Sequence, residues 1–167
     1  MKKTILRDSS IPISLLAIPT IRLVYTPKLK PADRIPVNST RMAVTIFRQH
    51  WDQNKIDLLE EFKVMLLDYK QRLIGVIDLH IGNRTMVITE PQLIYAAAFV
   101  ANASFIMLAH NHPSGEVQPS GPDCLITSMV KQFGIVFSLP MLDHLIITKS
   151  SYYSFKDSGS FEIRRGY

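Results

Sequence analysis

The chain is poor in cysteine. Cys124 is the only one in 167 residues, which excludes an internal disulfide and any zinc cage built from several cysteines. It also excludes the zinc nucleobase deaminase pattern, which combines H-x-E with P-C-x-x-C. A chain without disulfides is compatible with the cytoplasm, the expected location. Long hydrophobic runs are missing too. None approaches the ~18 apolar residues of a membrane-spanning helix, so no membrane partner is expected. Lys2 and Lys3 precede an apolar stretch at 11–18. Arg7, Asp8 and two prolines interrupt that region and no small-residue cleavage site follows, so it does not read as a secretory signal. Clustered charge of one sign is the third absence. The formal net charge is +5, but lysine and arginine are scattered. That permits weak contact with nucleic acid and gives no basis for sequence-specific binding. There is no internal repeat and no low-complexity segment.

What is present is a core. Hydrophobic residues make up 47% of the chain, and the length fits one compact domain. Residues 1–19 read as an irregular arm, 20–160 as the domain and 161–167 as a tail. "TIRLVYT" (20–26) has strand composition, and "PKLKPADRIPVN" (27–38) reads as an extended connector. Ser39 is placed to cap a helix whose stripe is Ala43, Ile46, Phe47 and Trp51. Residues 60–83 read as two strands around the turn "DYKQR", with Phe62, Val64 and Leu66 on one face. "TMVITE" (85–90) is a further short strand. Thr89 or Glu90 then opens a helix with Pro91 near its first position and Leu93, Ile94, Ala97, Ala98 and Ala101 on its buried face. "SFIMLAH" (104–110) is nearly all apolar and reads as a central buried strand. A helix from about Ser120 has Leu125, Ile126, Met129, Val130 and Phe133 on one face and ends at Gly134. "LDHLIITK" (142–149) and "YYSF" (152–155) complete the sheet. Hairpins mixed with strand–helix–strand passages make this an α/β fold, a mixed β-sheet with helices packed on it.

The chemistry concentrates in "LAHNHPSGEVQPSGPD" (108–123). Strand residues i and i+2 point to the same side, and Pro113 biases His112 toward extended backbone. His110 and His112 therefore face one point if the strand extends that far, which is a natural start to a zinc site. A pair that merely hydrogen-bonds the loop is the plainer reading. Asp123 is available as a third ligand, in the first turn of a helix where the dipole favours a carboxylate. Ser120 to Asp123 equally matches a capping box, and local chemistry leaves both readings of Asp123 open. Cys124 reads as a small packing residue and Trp51 as packed on the sheet. His50, His80 and His144 read as hydrogen-bonded structural histidines.

At these residues the chain resembles the JAMM (JAB1/MPN/Mov34) metalloenzymes, whose pattern is a distant Glu, then H-x-H, seven residues, Ser, two residues and Asp. His110-Asn111-His112 followed by Ser120 and Asp123 matches it throughout. "HNHPSG", "EEFKVMLLD" (60–68), "LDHLIIT" (142–148) and "YYSF" resemble more narrowly the RadC branch, over roughly residues 20–160. The resemblance implies a JAB/MPN-like (cytidine-deaminase-like) single domain holding Zn2+ through His110, His112 and Asp123. It places the distant glutamate at Glu60, with Glu61 the alternative, because a one-residue shift on a strand reverses its facing side. In such a site zinc acidifies a bound water and Glu60 moves its proton. Ser120 is the candidate hydrogen-bond donor to the oxyanion. The implied activity is hydrolysis of an amide or isopeptide bond in a peptide or protein conjugate.

The resemblance also carries a DNA-associated alternative, as a repair or mobile-element accessory protein. Long RadC proteins have an N-terminal helix-hairpin-helix region where this chain has a short proline-containing arm, which weakens that reading. A non-catalytic interaction module is a third possibility, and the intact ligand pattern argues against it. Asn111 replaces the Ser or Thr of many peptidase members and is expected to act on local packing. Asp143-His144 recurs in the family pattern and is a candidate to orient a ligand from behind.

Overall fold

The computed structural model describes residues 24–81 and 90–161. The expected arm (1–19), the strand at 85–89 and the tail beyond 161 lie outside them. One five-stranded sheet organises the described chain, from β1 (Glu61–Leu67), β2 (Leu73–Ile81), β3 (Phe105–Asn111), β4 (Met141–Ile147) and β5 (Tyr152–Ser154). The order is β2-β1-β3-β4-β5. β3 and β4 run parallel and the other neighbours antiparallel. The parallel pair needs a crossover, and α3 (Gly121–Val136) supplies it.

Helices cover both faces, which is why β1 and β3 can be apolar on both sides. On one face α1 (Thr40–His50) sets Ala43, Val44 and Phe47, with Trp51 at its end, against Met65, Leu67, Met107, Leu145 and Ile147. Ser39 caps α1, accepting from the Met42 amide at 3.2 Å. On the other face α2 (Pro91–Val100) and α3 set Ile94, Tyr95, Ala98 and Val130 against Phe62, Val64, Leu66, Ile106 and Leu108. Full burial of each large apolar side chain contributes about 1.5–3 kcal/mol.

Three helix expectations change. Leu93 faces solvent, and Tyr95 takes its place in the core. In α3, Leu125, Met129 and Phe133 are exposed, while Asp123, Thr127, Val130 and Gly134 are buried. The helix is turned so that its polar N-terminal residues meet the sheet. Gly134 lies inside the helix rather than ending it. A Cβ there would come within 3.0 Å of the Leu139 carbonyl and 3.1 Å of the Tyr95 hydroxyl, so the glycine permits a close approach. Glu90, not Thr89, is the residue before α2, and its side chain makes no capping bond.

Two other readings shift. Of the strand expected at 20–26, residues 20–23 lie outside the described residues, and Val24–Thr26 carry no strand. Pro27 ends any ladder at once, and the Tyr25 hydroxyl donates instead to the Ile74 carbonyl (3.4 Å). Within the connector Pro31–Asp33 form a single 3-10 turn. No helix among the described residues is long and apolar enough to cross a membrane.

Candidate metal centre

β1 and β3 pair so that Phe62 lies opposite His110. Alternation then decides between the two glutamates. Glu60 shares the face of Phe62, toward α3, and Glu61 points to the opposite side. There Glu61 binds the Lys63 ammonium at 2.7 Å, and Lys63 lies over the Trp51 ring. Lys63 also contacts Asp78, to which His50 bonds at 3.2 Å.

His110 leaves the end of β3 with its ring stacked on Phe62. His112 follows, and the chain turns at once. The Gly115 amide donates back to the His112 carbonyl at 3.0 Å, with Gly115 at a φ of 85°, a conformation that favours glycine. The loop returns to Ser120, and α3 begins. Both readings of this helix start hold together. Asp123 Oδ2 accepts from the Ser120 amide (2.7 Å) and hydroxyl (2.6 Å), completing the capping box. Its other oxygen, Oδ1, faces His110 Nε2 at 3.1 Å.

Four ligand-type side chains thus converge: Glu60, His110, His112 and Asp123, each offering an atom within 4.8 Å of the others. The two histidine Nε2 atoms are 3.0 Å apart, and His112 Nε2 lies 3.5 Å from Asp123. Ligands on a tetrahedral zinc, at bonds of about 2.0–2.2 Å, are separated by about 3.3–3.6 Å. His110 Nε2 has its two neighbours, His112 Nε2 and Asp123 Oδ1, at 3.0 and 3.1 Å, a few tenths of an ångström inside that spacing, while the 3.5 Å contact of His112 is to Oδ2, the oxygen that caps the helix.

The positions of the hydrogens make the fit chemical as well as geometric. Thr127 spends its hydroxyl hydrogen on the Asp123 carbonyl (2.5 Å), so its oxygen accepts from His144 Nδ1 (2.6 Å). His144 is fully buried, which holds its pKa well below the ordinary histidine value, so it is neutral. Its Nε2 is then a lone pair and accepts from His110 Nδ1 at 2.9 Å. That leaves His110 Nε2 without a hydrogen when the ring is neutral. His112 Nδ1 donates to the Glu116 carbonyl (2.8 Å), so its Nε2 is bare as well. With both rings neutral, two imidazole lone pairs and a carboxylate oxygen therefore face one point with no hydrogen between them. Either an added proton or a cation must fill it.

The electrostatics agree. When a proton fills that point, burial still pushes the Asp123 carboxyl up, but hydrogen bonds from the protonated histidines and from Ser120 outweigh it and hold it far below the usual carboxylate range. The Asp123 carboxylate raises His112 against the opposing effect of burial. Burial pushes Glu60 up, only partly offset by the histidines, which moves it toward the range of a working base.

Every site residue expected from the sequence, Glu60, His110, His112, Ser120 and Asp123, is brought to this one place. Thr127 was not anticipated, since its link to His144 depends on the parallel packing of β4 beside β3. Asp143 supports His144 by accepting its backbone amide at 2.8 Å, and accepts from the Ser154 hydroxyl at 2.6 Å. Cys124 is exposed rather than packed. The side chain of His80 lies outside what the structure describes.

A mixed sheet between helices, with an H-x-H pair at the end of its central strand and an aspartate at the next helix start, defines a JAB-type domain. Residues 37–160 match the RadC-like JAB domain family. A UPF0758 protein of Thermosynechococcus vestitus is 32% identical over 130 residues, covering 77% of this chain and 50% of that protein. One from Thermotoga maritima is 38% identical over 100 residues, covering 60% and 45%. One from Flavobacterium johnsoniae is 39% identical over 102 residues, covering 61% and 44%. The chain belongs to the RadC-like JAB domain family, and it spans about half the length of the curated relatives it matches.

Proposed function

We infer that the protein is a zinc-dependent hydrolase of amide or isopeptide bonds in a peptide or protein conjugate, acting in the cytoplasm. The observation that carries this reading is the convergence of His110 Nε2, His112 Nε2 and Asp123 on one point that holds no hydrogen when both rings are neutral, with Glu60 beside it. His110, His112 and Asp123 would hold the zinc. When bound, the ion supplies Lewis acidity that lowers the pKa of a coordinated water toward ~7 and polarises a carbonyl.

The chain's own groups do the rest. Glu60, with its raised pKa, takes a proton from the attacking water and delivers it to the leaving amine. The path from Thr127 through His144 fixes the tautomer and orientation of His110, as a partner behind a ligand does. Ser120 lies beside Asp123, and its hydroxyl turns from Oδ2 to donate to the oxyanion. The Ser120 amide retains that oxygen meanwhile.

The test is zinc content by elemental analysis, followed by cleavage of isopeptide-linked peptides with and without chelator. Glu60→Gln is expected to keep its zinc and lose cleavage by at least about a hundredfold. A protein that takes up no zinc, or a Glu60→Gln variant that cleaves as fast as the parent, would sink this reading. The DNA-associated alternative has the charge of +5 in its favour. Salt-dependent binding to a DNA duplex without any peptide cleavage would support it.

A further inference from the structure

Asn111 stands between the two histidines and does none of their chemistry. Alternation sends its side chain to the other side of β3, where it is completely buried. Its carboxamide is committed to a single segment of chain. Nδ2 donates to the Ile56 carbonyl at 2.5 Å and to the Leu59 carbonyl at 2.8 Å. Oδ1 accepts from the Glu61 amide at 2.7 Å. Two carbonyls and one N–H also fix which end of the amide is which.

These partners bracket Glu60. The segment from Asp52 to Leu59 is a run of turns closed on itself, with Ile56 and Leu59 amides bonded to Asp52 and Lys55 carbonyls. It packs through the buried Ile56. The register of β1 with β3 begins only at Phe62. Glu60 therefore sits where ladder hydrogen bonds to β3 have not started, and the Asn111 side chain supplies the tie on both sides of it. The same residue that separates His110 from His112 fastens the Glu60 backbone to the strand that carries them.

We propose that Asn111 is a positioning residue for Glu60, holding the base and the two histidines on one rigid unit. This rests on the reading of Glu60 as the base. Asn111→Leu keeps the approximate volume and removes all three hydrogen bonds. Asn111→Asp keeps the size and the acceptor for Glu61 while losing both donors, and it covers the case in which the leucine variant fails to fold. The first readout is amide hydrogen exchange in the metal-free protein. The Glu61 amide is expected to exchange about tenfold faster or more in Asn111→Leu, and amides of 56–59 faster in both variants. The second is zinc per chain, expected unchanged. The third is hydrolysis of p-nitrophenyl acetate by the zinc-loaded protein. Here both variants should lose about ten- to a hundredfold in kcat at an unaltered KM, with no further loss in a Glu60→Gln background.

Unchanged exchange at Glu61 and 56–59 overturns the proposal. So does a rate loss that multiplies with that of Glu60→Gln. If Glu60→Gln is slow while both Asn111 variants are fast, the base reading stands and the positioning claim alone fails. If Glu60→Gln itself keeps its rate, the base reading fails and takes the positioning claim with it.

Discussion

Strand β1 has a carboxylate corner at each end, and the two corners are built in opposite ways. At its far end Asp68 is surrounded by donors: the Lys70 and Arg72 amides at 2.9 and 3.0 Å, the Arg72 guanidinium at 3.0 Å and Arg34 at 3.3 Å. Burial pushes that carboxyl up, yet these donors hold it below its ordinary value. Every acceptor has a hydrogen. At the near end, Glu60, Asp123 and two imidazoles crowd together with acceptors in surplus. The first corner is complete as protein. The second becomes complete only when something positive arrives. Donor supply, rather than the mere presence of acidic residues and histidines, separates a structural carboxylate from a ligand set.

That contrast breaks first at the ligands. His112→Ala removes one of the facing lone pairs, and zinc affinity is expected to fall by more than about a hundredfold, beyond the usual effect of changes behind a ligand. Titration calorimetry reads it directly. Asp68→Ala should do the reverse. It strands Arg34 and Arg72 and is expected to cost about 3 kcal/mol of stability in urea unfolding, with zinc uptake unaffected. Equal zinc losses in the two variants would erase the distinction between the corners.

Acidity sharpens it further. Zinc needs the unprotonated imidazole, and Asp123 raises His112 above its ordinary value of about 6.5. Zinc affinity should therefore fall as pH drops through that raised value, by up to about tenfold per pH unit for one competing proton. In the metal-free protein the same raised pKa has the opposite sign. The His112–Asp123 pair adds stability fully below about 6.5 and loses it as pH rises through the raised value. Asp68, being depressed, contributes above about 3.9 and loses its contribution only as pH falls below that. Unfolding midpoints measured across pH, with and without zinc, separate the two. The smallest effect is expected at Thr127→Val, which removes the acceptor behind His144. Zinc binding should weaken by about tenfold, with a stability change near 1 kcal/mol.

Much of this was legible in the chain because it is local. Alternation in "EEFKVMLLD" and the apolar run "SFIMLAH" define β1 and β3; alternation also says that only one of Glu60 and Glu61 can reach the site, and the family resemblance favours Glu60. The i, i+2 geometry points His110 and His112 to one side, whereas Asp123 stays open between cap and ligand on local chemistry and joins the set through the resemblance to the JAMM pattern. What escaped depends on contacts distant in sequence. The most apolar stripe of α3, with Leu125, Met129 and Phe133, was expected inside. The helix instead turns Asp123 and Thr127 inward to meet His110 and His144, and helical periodicity alone does not report that demand. Gly134 resembles a helix end until Tyr95 and Leu139 are seen pressing on it. Asn111 reads as filler between two ligands until the turns at 52–59 are folded against it.

The point between His110, His112 and Asp123 is proposed to hold a divalent cation. The most direct measurement is titration of the chelator-treated protein with zinc, followed by both calorimetry and thermal unfolding. Saturation at one equivalent per chain, release of protons on binding and a rise in the unfolding midpoint that chelator reverses are expected. A protein that takes up no zinc at neutral pH, with an unfolding midpoint indifferent to metal and chelator alike, would contradict it.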